Sequence, residues 1–222
     1  RLLMCYLELS GFMQKGTPRE VSRKELLERA EVSPQILSTL VTKGIFENYG
    51  KEISRLSNNP LHTESPYPLS PIQQKAYNEI IDRFSQKETV LLHGVTSSGK
   101  TEIYIHLIDT VLKQGRQVLY LVPEIALTTQ LTTRLQRVFG NKLSIYHSKF
   151  TDNERVEIWN DLLHDKGAQI ILGVRSSIFL PFRDLGLVIV DEEHEGSYKQ
   201  QEPSPRYHAR NAAIVLASMH GA

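Results

Sequence analysis

The chain has 222 residues, of which 40% are hydrophobic and 23% are charged. These proportions are close to those of soluble globular proteins, and they exclude an intrinsically disordered or fibrous chain. The length suits one large domain or two modest ones, and we expect two. With 26 basic and 25 acidic residues the formal net charge is +1, so any affinity for nucleic acid must come from a local basic surface.

A single cysteine, Cys5, excludes an internal disulfide and a cysteine-rich zinc site within the chain. This usage is typical of a reducing compartment. The chain opens without a signal-peptide pattern, and no apolar run approaches the ~18 residues that predict a membrane span. We therefore expect a cytoplasmic protein without a membrane partner. Because the chain begins with Arg1 and ends directly after an apolar helical pattern, we also expect it to be cut from a longer protein.

Residues 1–56 carry a pattern of short amphipathic helices. Ser22 and Ser33 are suited to N-cap positions, and Gly44 is suited to the left-handed end of the third helix. Residues 45–55 could form a small hairpin. Three helices followed by a hairpin are the outline of a winged helix-turn-helix domain.

The third of these helices would be the DNA-reading helix in a winged helix. Few of its exposed groups are basic, and phosphate contacts usually dominate DNA affinity, so an ordinary solvated face or a protein-contact module fits the same pattern. The groups that we expect to be exposed are Gln35, Ser38, Thr39, Thr42 and Lys43.

Residues 57–68 are rich in proline and asparagine and predict a linker, and a second domain occupies residues 69–222. Ser70, Pro71 and Gln73 form the start of its first helix. Short apolar runs then alternate with amphipathic helices, which predicts an α/β fold with a parallel sheet and helices on both faces. The predicted strands are residues 90–92, 118–122, 143–146, 169–172 and 187–190, and the helices between them carry Leu107, Leu131 and Trp159.

A complete phosphate-loop motif follows the first predicted strand and opens the next helix, which is the context that this motif requires. Its glycines allow backbone N–H groups to surround phosphate, and the helix N-terminus adds positive potential. We expect Lys100 to bind the outer phosphates of ATP and the Thr101 hydroxyl to bind Mg²⁺. The motif consists of Gly94, Val95, Thr96, Ser97, Ser98, Gly99, Lys100 and Thr101.

The last predicted strand ends in an acidic sequence, Asp191-Glu192-Glu193-His194. Ligands bind at the carboxyl ends of strands in open parallel sheets, so we expect Asp191 to bind Mg²⁺. Glu192 is the candidate base that orients and deprotonates the attacking water. An acidic cluster alone is more often a solvated turn, and the phosphate loop is what favours the catalytic interpretation here.

This tetrad is a DExH box, and with the phosphate loop it makes the chain resemble superfamily-two helicases. Further stretches narrow the resemblance to the PriA family of bacterial replication-restart helicases, also called primosomal protein N-prime. The resemblance covers most of residues 69–213, whereas residues 1–56 resemble that family's winged-helix domain by position and outline. The stretches are GVTSSGKTEIY at 94–104, LVPEIALT at 121–128, YHS at 146–148, GVRSSIFLPF at 173–182, SYKQQE at 197–202 and PRY at 205–207.

The resemblance implies a RecA-like first helicase lobe behind a winged-helix domain, in a bacterial cytoplasmic enzyme. Such an enzyme couples ATP hydrolysis, with Mg²⁺, to the unwinding of forked DNA during primosome assembly. The implied partners are single-stranded and forked DNA, other primosome proteins and single-strand-binding proteins. An ATP-switched winged-helix regulator without unwinding activity is the alternative. A restriction or chromatin-remodelling translocase fits less well, because residues 198–201 and 206–207 match the PriA pattern.

The resemblance also assigns roles to individual residues. Gln73 would lie in the adenine-recognition segment, although it could equally be only a helix cap. Arg175 would face single-stranded DNA, although it could equally pair with a carboxylate. Residues of this DNA-facing group are Pro123, Glu124, Arg175 and Ser176.

A second implied group belongs to the family's aromatic-rich loop, which is thought to report DNA binding to the ATP site. Aromatic faces stack on unpaired bases and cations follow the phosphates, although such a loop could also be ordered only by its own tyrosines. His194 would connect the acidic box to this loop, or would simply be an ion-pair partner. The loop residues are Tyr198, Lys199, Arg206, Tyr207 and His208.

Two departures from the family pattern bear on activity. Ser97 stands where the family usually has glycine, which removes no phosphate ligand. The chain also ends before the family's zinc-binding cysteines and the second lobe with its arginine finger. We therefore expect no zinc site within the chain, and an isolated chain that binds ATP weakly and unwinds nothing, since such a finger contributes about 10³- to 10⁵-fold in rate.

Overall fold

The computed structural model describes residues 1–12, 21–48, 63–95, 98–147, 150–164 and 167–222. The chain divides into two compact units, Arg1–Ile53 and Ser54–Ala222. Across the described ranges, no helix is long and apolar enough to cross a membrane.

In the described part of the first unit, three short helices surround a small apolar core. The Ser22 hydroxyl accepts a hydrogen bond from the Glu25 amide at 3.1 Å, which is the predicted helix cap. Buried side chains at the centre of the unit are Leu2, Leu26, Ala30 and Leu37. The helices are α1 (Leu2–Ser10), α2 (Arg23–Ala30) and α3 (Pro34–Thr42).

The solvent side of α3 is polar, as predicted. The hydroxyls of Ser38, Thr39 and Thr42 are exposed, and each donates to the backbone carbonyl four residues earlier, at 2.9–3.2 Å. Gly44 ends this region in the left-handed conformation, with φ 68°. The predicted hairpin over residues 45–55 lies outside the described residues from 49 onward.

The second unit is an α/β domain, and the four strands among its described residues all run parallel, in the order β2-β3-β1-β4. A Ser70–Gln73 capping box with Pro71 in the first turn begins its first helix, as the sequence predicts. The elements in chain order are α4 (Pro71–Phe84), α5 (Lys100–Lys113), β1 (Gln117–Leu121), α6 (Thr129–Phe139), β2 (Leu143–Tyr146), α7 (Asp152–Leu163), β3 (Ile170–Gly173), β4 (Leu185–Val190) and α8 (Ala209–His220).

Side-chain alternation along β1 separates two hydrophobic cores. Val118 and Tyr120 pack on the face covered by α4, α5 and α6. Leu119 and Leu121 pack on the opposite face, against α7 and α8. The predicted parallel sheet with helices on both faces is therefore confirmed.

The predicted strand over residues 90–92 is wrong, because these residues belong to no strand in the described part of the chain. Val90 and Leu92 pack against the core on the α4–α6 side, whereas Leu91 is 74% exposed. The apolar run therefore predicted the burial of two side chains correctly. It did not predict whether the backbone makes the ladder of hydrogen bonds that a strand requires.

Gly173, at the end of β3, is a position where an added methyl group should destabilise the fold. A Cβ there would lie 1.9 Å from Ser177 Oγ and 2.7 Å from Ser177 Cβ. We expect Gly173→Ala to lower the free energy of unfolding by about 1–3 kcal/mol, as overpacked cores generally do. The measurement is denaturant unfolding, with Gly196→Ala as the control because a Cβ at Gly196 meets nothing within 4 Å. Equal stability of the two variants would contradict this prediction.

Candidate active site

The carboxyl ends of the strands bring the predicted site residues to one edge of the sheet. β1 leads into Pro123 and Glu124, β3 into Arg175, and β4 into Asp191. The strand order places β1 between β3 and β4, so these ends lie side by side. Because open parallel sheets bind ligands at this edge, it is the candidate active site.

The phosphate-loop region meets α5 at Gly99, which adopts a left-handed φ of 81° at the N-cap position. A Cβ at Gly99 would lie 2.5 Å from Gln73 Nε2, so only glycine fits. Gln73 Nε2 donates to the Gly99 carbonyl at 3.2 Å, while its Oε1 accepts from the Ser70 amide at 2.9 Å. Gln73 therefore caps its own helix and also contacts the loop. Thr96 and Ser97 lie outside the described residues.

The Lys100 side chain contacts both the phosphate loop and the acidic sequence after β4. Its Nζ donates to the Gly94 carbonyl at 2.9 Å and lies 3.6 Å from Glu192 Oε1. The Lys100 side chain is 16% exposed and that of Glu192 34%, so the pair is sheltered without being sealed from solvent. In the same loop Val95 is 77% exposed and Ser98 is exposed, whereas Thr101 is half-buried.

The acidic sequence forms a tight turn. Glu192 has a φ of 46°, which is uncommon for a residue with a side chain, and its amide donates to Asp191 Oδ1 at 3.1 Å. His194 Nε2 lies 3.8 Å from Glu192 Oε2. Glu193 instead pairs with Arg210 of α8. Adjacent carboxylates of one turn thus have different partners, which leaves Glu192 beside Lys100.

Tyrosines surround Asp191. Tyr120 donates its hydroxyl to Asp191 Oδ2 at 3.1 Å, and Tyr198 donates its own to the Asp191 carbonyl at 2.7 Å. Burial, and then the negative charge of Asp191, raise the pKa of Tyr120 well above its ordinary value. The same two causes raise the pKa of Tyr104 and of Tyr198. These phenols therefore remain protonated donors at neutral pH.

A pocket of about 420 Å³ opens beside this turn and collects most of the residues that the sequence places toward DNA. Arg155 of α7 also contributes to it, although the sequence gave no reason to select this residue. The lining residues are Val122, Pro123, Glu124, Arg155, Val174, Arg175, Ser176, Gly196, Ser197, Tyr198, Lys199 and Gln201.

The polypeptide after the acidic turn folds back on itself beside the pocket. Lys199 and His208 form an antiparallel bridge, and Lys199 Nζ donates to the Arg206 carbonyl. Arg175 Nη1 donates to the Lys199 carbonyl at 3.1 Å, and its guanidinium lies 6.0 Å from the centroid of Tyr207. Burial, and then nearby cations, lower the pKa of His208.

The structure therefore brings some predicted residues together and separates others. Tyr198 is 1% exposed and contacts Asp191 from inside the protein, whereas Arg206 lies on the surface, where it pairs with Glu202. His194 is also exposed.

A model of the DEAD/DEAH box helicase family matches residues 70–218, which is more than half of the chain.

The chain belongs to the DEAD/DEAH box helicase family.

A second family model, the winged-helix domain of PriA helicase from Bacteroidota, matches residues 1–53 of this helicase chain. Curated relatives named "Replication restart protein PriA" include the Bacillus subtilis protein, 38% identical over 90% of the chain. Those of Synechocystis and Haemophilus influenzae are each 42% identical, over 92% and 84% of the chain. The chain spans about a quarter of the length of these relatives, namely 25%, 24% and 26%.

Among solved structures, the ATP-dependent Type ISP restriction-modification enzyme LlaBIII bound to DNA matches 71% of this helicase chain. The match covers 12% of that enzyme, with a TM-score of 0.50 and 18% sequence identity. At that identity the likeness concerns the fold alone. It agrees with a RecA-like helicase lobe.

The residues at the start of α5 and in the acidic turn have the chemistry that nucleotide and metal require. Lys100 is a sheltered cation at the start of a helix, where backbone N–H groups and the helix N-terminus favour phosphate. The Asp191 carboxylate and the Thr101 hydroxyl are hard oxygen ligands of the type that Mg²⁺ prefers.

Proposed function

We propose that this chain is the winged-helix domain and first lobe of an ATP-dependent DNA helicase that restarts replication. The observation that carries the proposal is the sheltered pairing of Lys100 with Glu192, 3.6 Å apart, between the phosphate loop and the acidic turn. We assign the winged-helix domain to residues 1–56, a linker to 57–68 and the lobe to 69–222. We also propose a location in the bacterial cytoplasm and contacts with primosome and single-strand-binding proteins, as the resemblance of the sequence to the PriA family implies.

Each residue of the proposed site has a defined task. The loop of residues 94–101 would hold the phosphates of ATP through backbone N–H groups and Lys100. Glu192 would orient and deprotonate the attacking water, while Thr101 and Asp191 would hold Mg²⁺. Mg²⁺, when bound, supplies charge stabilisation on the phosphate oxygens. Gln73 would contact the adenine end of the same nucleotide.

The pocket beside the acidic turn is the proposed path of single-stranded DNA. Arg155, Arg175 and Lys199 provide cations around it, and cations combined with aromatic side chains are typical of single-strand grooves. Tyr198 lines this pocket and donates to the Asp191 carbonyl, so a displacement of Tyr198 would reach the acidic turn directly. We propose that His194, Tyr198, Lys199, Arg206 and Tyr207 form the coupling loop.

The direct test is unwinding of a forked DNA substrate by the full-length protein. We expect strand separation that requires ATP and Mg²⁺ and stops with a non-hydrolysable ATP analogue. Competition between forked and plain duplex probes distinguishes the rival function, an ATP-switched regulator, because a regulator would prefer a particular duplex sequence. Preference for plain duplex without strand separation would contradict the helicase. We expect the isolated chain to bind ATP weakly and to unwind nothing.

Replacing Arg175 with alanine should weaken single-stranded DNA binding through loss of one phosphate contact. For single strands, each such contact adds roughly 0.7 to the slope of log affinity against log salt, so the slope should fall by about that amount. Fluorescence anisotropy of labelled oligonucleotides across a salt series measures it. Lys113→Ala is the matched control, because Lys113 pairs with Asp109 on α5 at 2.7 Å and is absent from the pocket lining. An equal change in both variants would contradict the DNA path.

A further inference from the structure

The two proposed Mg²⁺ ligands, Thr101 and Asp191, belong to different elements of the lobe. Thr101 lies in the first turn of α5, and Asp191 follows the last residue of β4. A metal site built in this way depends on how firmly the helix is fixed relative to the strand. Tyr104 follows Thr101 by about one helical turn, so both lie on one side of α5.

Tyr120 lies on β1, the strand next to β4, and so lies between α5 and Asp191. In the sheet register Tyr120 of β1 lies beside Ile189 of β4, close to the point where β4 delivers Asp191. The rings of Tyr104 and Tyr120 meet edge to face, with centroids 5.6 Å apart and an interplanar angle of 78°. The tyrosine pair thus connects α5, which carries Thr101, to β1, the strand beside the one that leads into Asp191.

The hydroxyl of Tyr120 holds the Asp191 carboxylate directly. It donates to Oδ2 at 3.1 Å, while the Glu192 amide donates to Oδ1 at 3.1 Å. Each of the two donors therefore holds a different oxygen of the carboxylate. Each carboxylate oxygen accepts more than one hydrogen bond or ligand, so both oxygens keep capacity for a metal or its waters.

Burying a hydroxyl without a hydrogen-bond partner costs free energy, so these two buried hydroxyls require a partner. Tyr104 is 8% exposed and Tyr120 0%, within a core whose other buried side chains are aliphatic apart from Phe139. A phenylalanine would fill the same space without a polar group to satisfy. The hydroxyl of Tyr120 satisfies its hydrogen-bonding requirement on the Asp191 carboxylate, which is the group proposed to bind metal.

We propose that Tyr104 and Tyr120 are positioning residues that hold the Asp191 carboxylate, and the spacing between α5 and β4, in the geometry that Mg²⁺-bound nucleotide requires. This inference rests on the proposed ATP site. Tyr120 acts through its hydroxyl on Asp191. Tyr104 packs its ring against Tyr120, and its hydroxyl also interacts with Asp191, so we expect its hydroxyl to contribute as well, but less than the 3.1 Å hydrogen bond of Tyr120.

The test compares nucleotide affinity with and without magnesium in the full-length protein. The probe is N-methylanthraniloyl-ADP, titrated once in Mg²⁺ and once in EDTA, and the readout is the ratio of the two affinities. Outer-shell partners of metal ligands typically contribute 10- to 100-fold to metal affinity, so Tyr120→Phe should reduce this ratio by about 10-fold. Its affinity in EDTA should equal that of the wild type. Tyr104→Phe should shift the ratio in the same direction by less.

Tyr77→Phe is the matched control. The Tyr77 hydroxyl bonds to Thr110 Oγ1 at 2.8 Å, so this variant also removes a tyrosine hydroxyl that is bonded to α5, but at a site away from Asp191. Its ratio should equal the wild-type ratio. A double-mutant cycle adds a second measurement, since Tyr120→Phe should have no further effect on the ratio in an Asp191→Asn background.

Each outcome decides between the claims. A wild-type ratio in Tyr120→Phe overturns the inference, and so does an equal loss of affinity in Mg²⁺ and EDTA, which is what a general packing defect produces. If the wild-type protein binds the probe in neither buffer, the proposed function fails as well. Wild-type binding together with an unchanged Tyr120→Phe ratio overturns the positioning role alone.

Discussion

Replacing Glu192 with glutamine in the full-length protein is expected to lower ATP turnover by about 10²- to 10⁴-fold, the usual contribution of a positioned general base. Glutamine has the same shape, and its carbonyl oxygen can still accept a hydrogen bond from Lys100 Nζ, which lies 3.6 Å from Glu192 Oε1. It cannot take a proton from water. ATP binding should therefore be retained while hydrolysis is lost. Steady-state turnover and equilibrium ATP binding, measured on the same preparation, separate these two effects.

Glu193→Gln is the matched control for this variant. Glu193 is the next residue of the same turn, yet it pairs with Arg210 of α8 instead of with Lys100. Its replacement removes the same charge from the same segment, so turnover should stay close to that of the wild type. Similar losses in the two variants would mean that the net charge of the turn matters and that Glu192 has no specific role.

Replacing Lys100 with alanine is expected to reduce both ATP binding and turnover. Lys100 is the only side-chain cation in the loop of residues 94–101, and its 16% exposure shelters the charge from solvent. Loss of one preorganised group that stabilises developing charge typically costs about 10²- to 10³-fold in rate. The variant also leaves Glu192 without its neighbouring cation. Titration with a fluorescent ATP analogue, followed by a turnover assay, measures both losses.

A second lysine on the same helix provides the control. Lys113 lies in the last turn of α5, is 75% exposed and pairs with Asp109. Lys113→Ala should bind and hydrolyse ATP as the wild type does, because exposed ion pairs contribute little. If Lys100→Ala kept wild-type affinity and turnover, the phosphate-binding role of Lys100 would be refuted.

Much of this architecture could be predicted from the sequence because the relevant signals are local. The loop motif and the acidic tetrad are contiguous, and the alternation of apolar runs with amphipathic helices gave the parallel sheet. Burial along β1 shows why this worked, since all of Gln117–Leu121 is buried between two layers of helices and residues 118–122 form a continuous apolar run. The error at residues 90–92 arose from the same signal, because apolar character reports burial and not strand pairing.

Contacts between distant residues were beyond the sequence signals. Tyr104 was noted only within the family stretch at 94–104, and Tyr120 only within a predicted strand, although both interact with Asp191. Only the strand order, with β1 beside β4, makes that meeting predictable. Arg155 was missed for a similar reason, since a basic residue on an amphipathic helix looks like an ordinary solvated group until α7 is placed beside the pocket.

The measurement that tests the central claim most directly is ATP hydrolysis by the full-length protein as forked DNA is titrated into the reaction. If the phosphate loop, the acidic turn and the pocket beside Tyr198 form one coupled site, the rate should rise to saturation with forked DNA and much less with plain duplex. Tyr198→Phe, which removes the hydroxyl bonded at 2.7 Å to the Asp191 carbonyl, should blunt that rise. An ATP hydrolysis rate that does not change with forked DNA, or that rises equally with plain duplex, would contradict a coupled site.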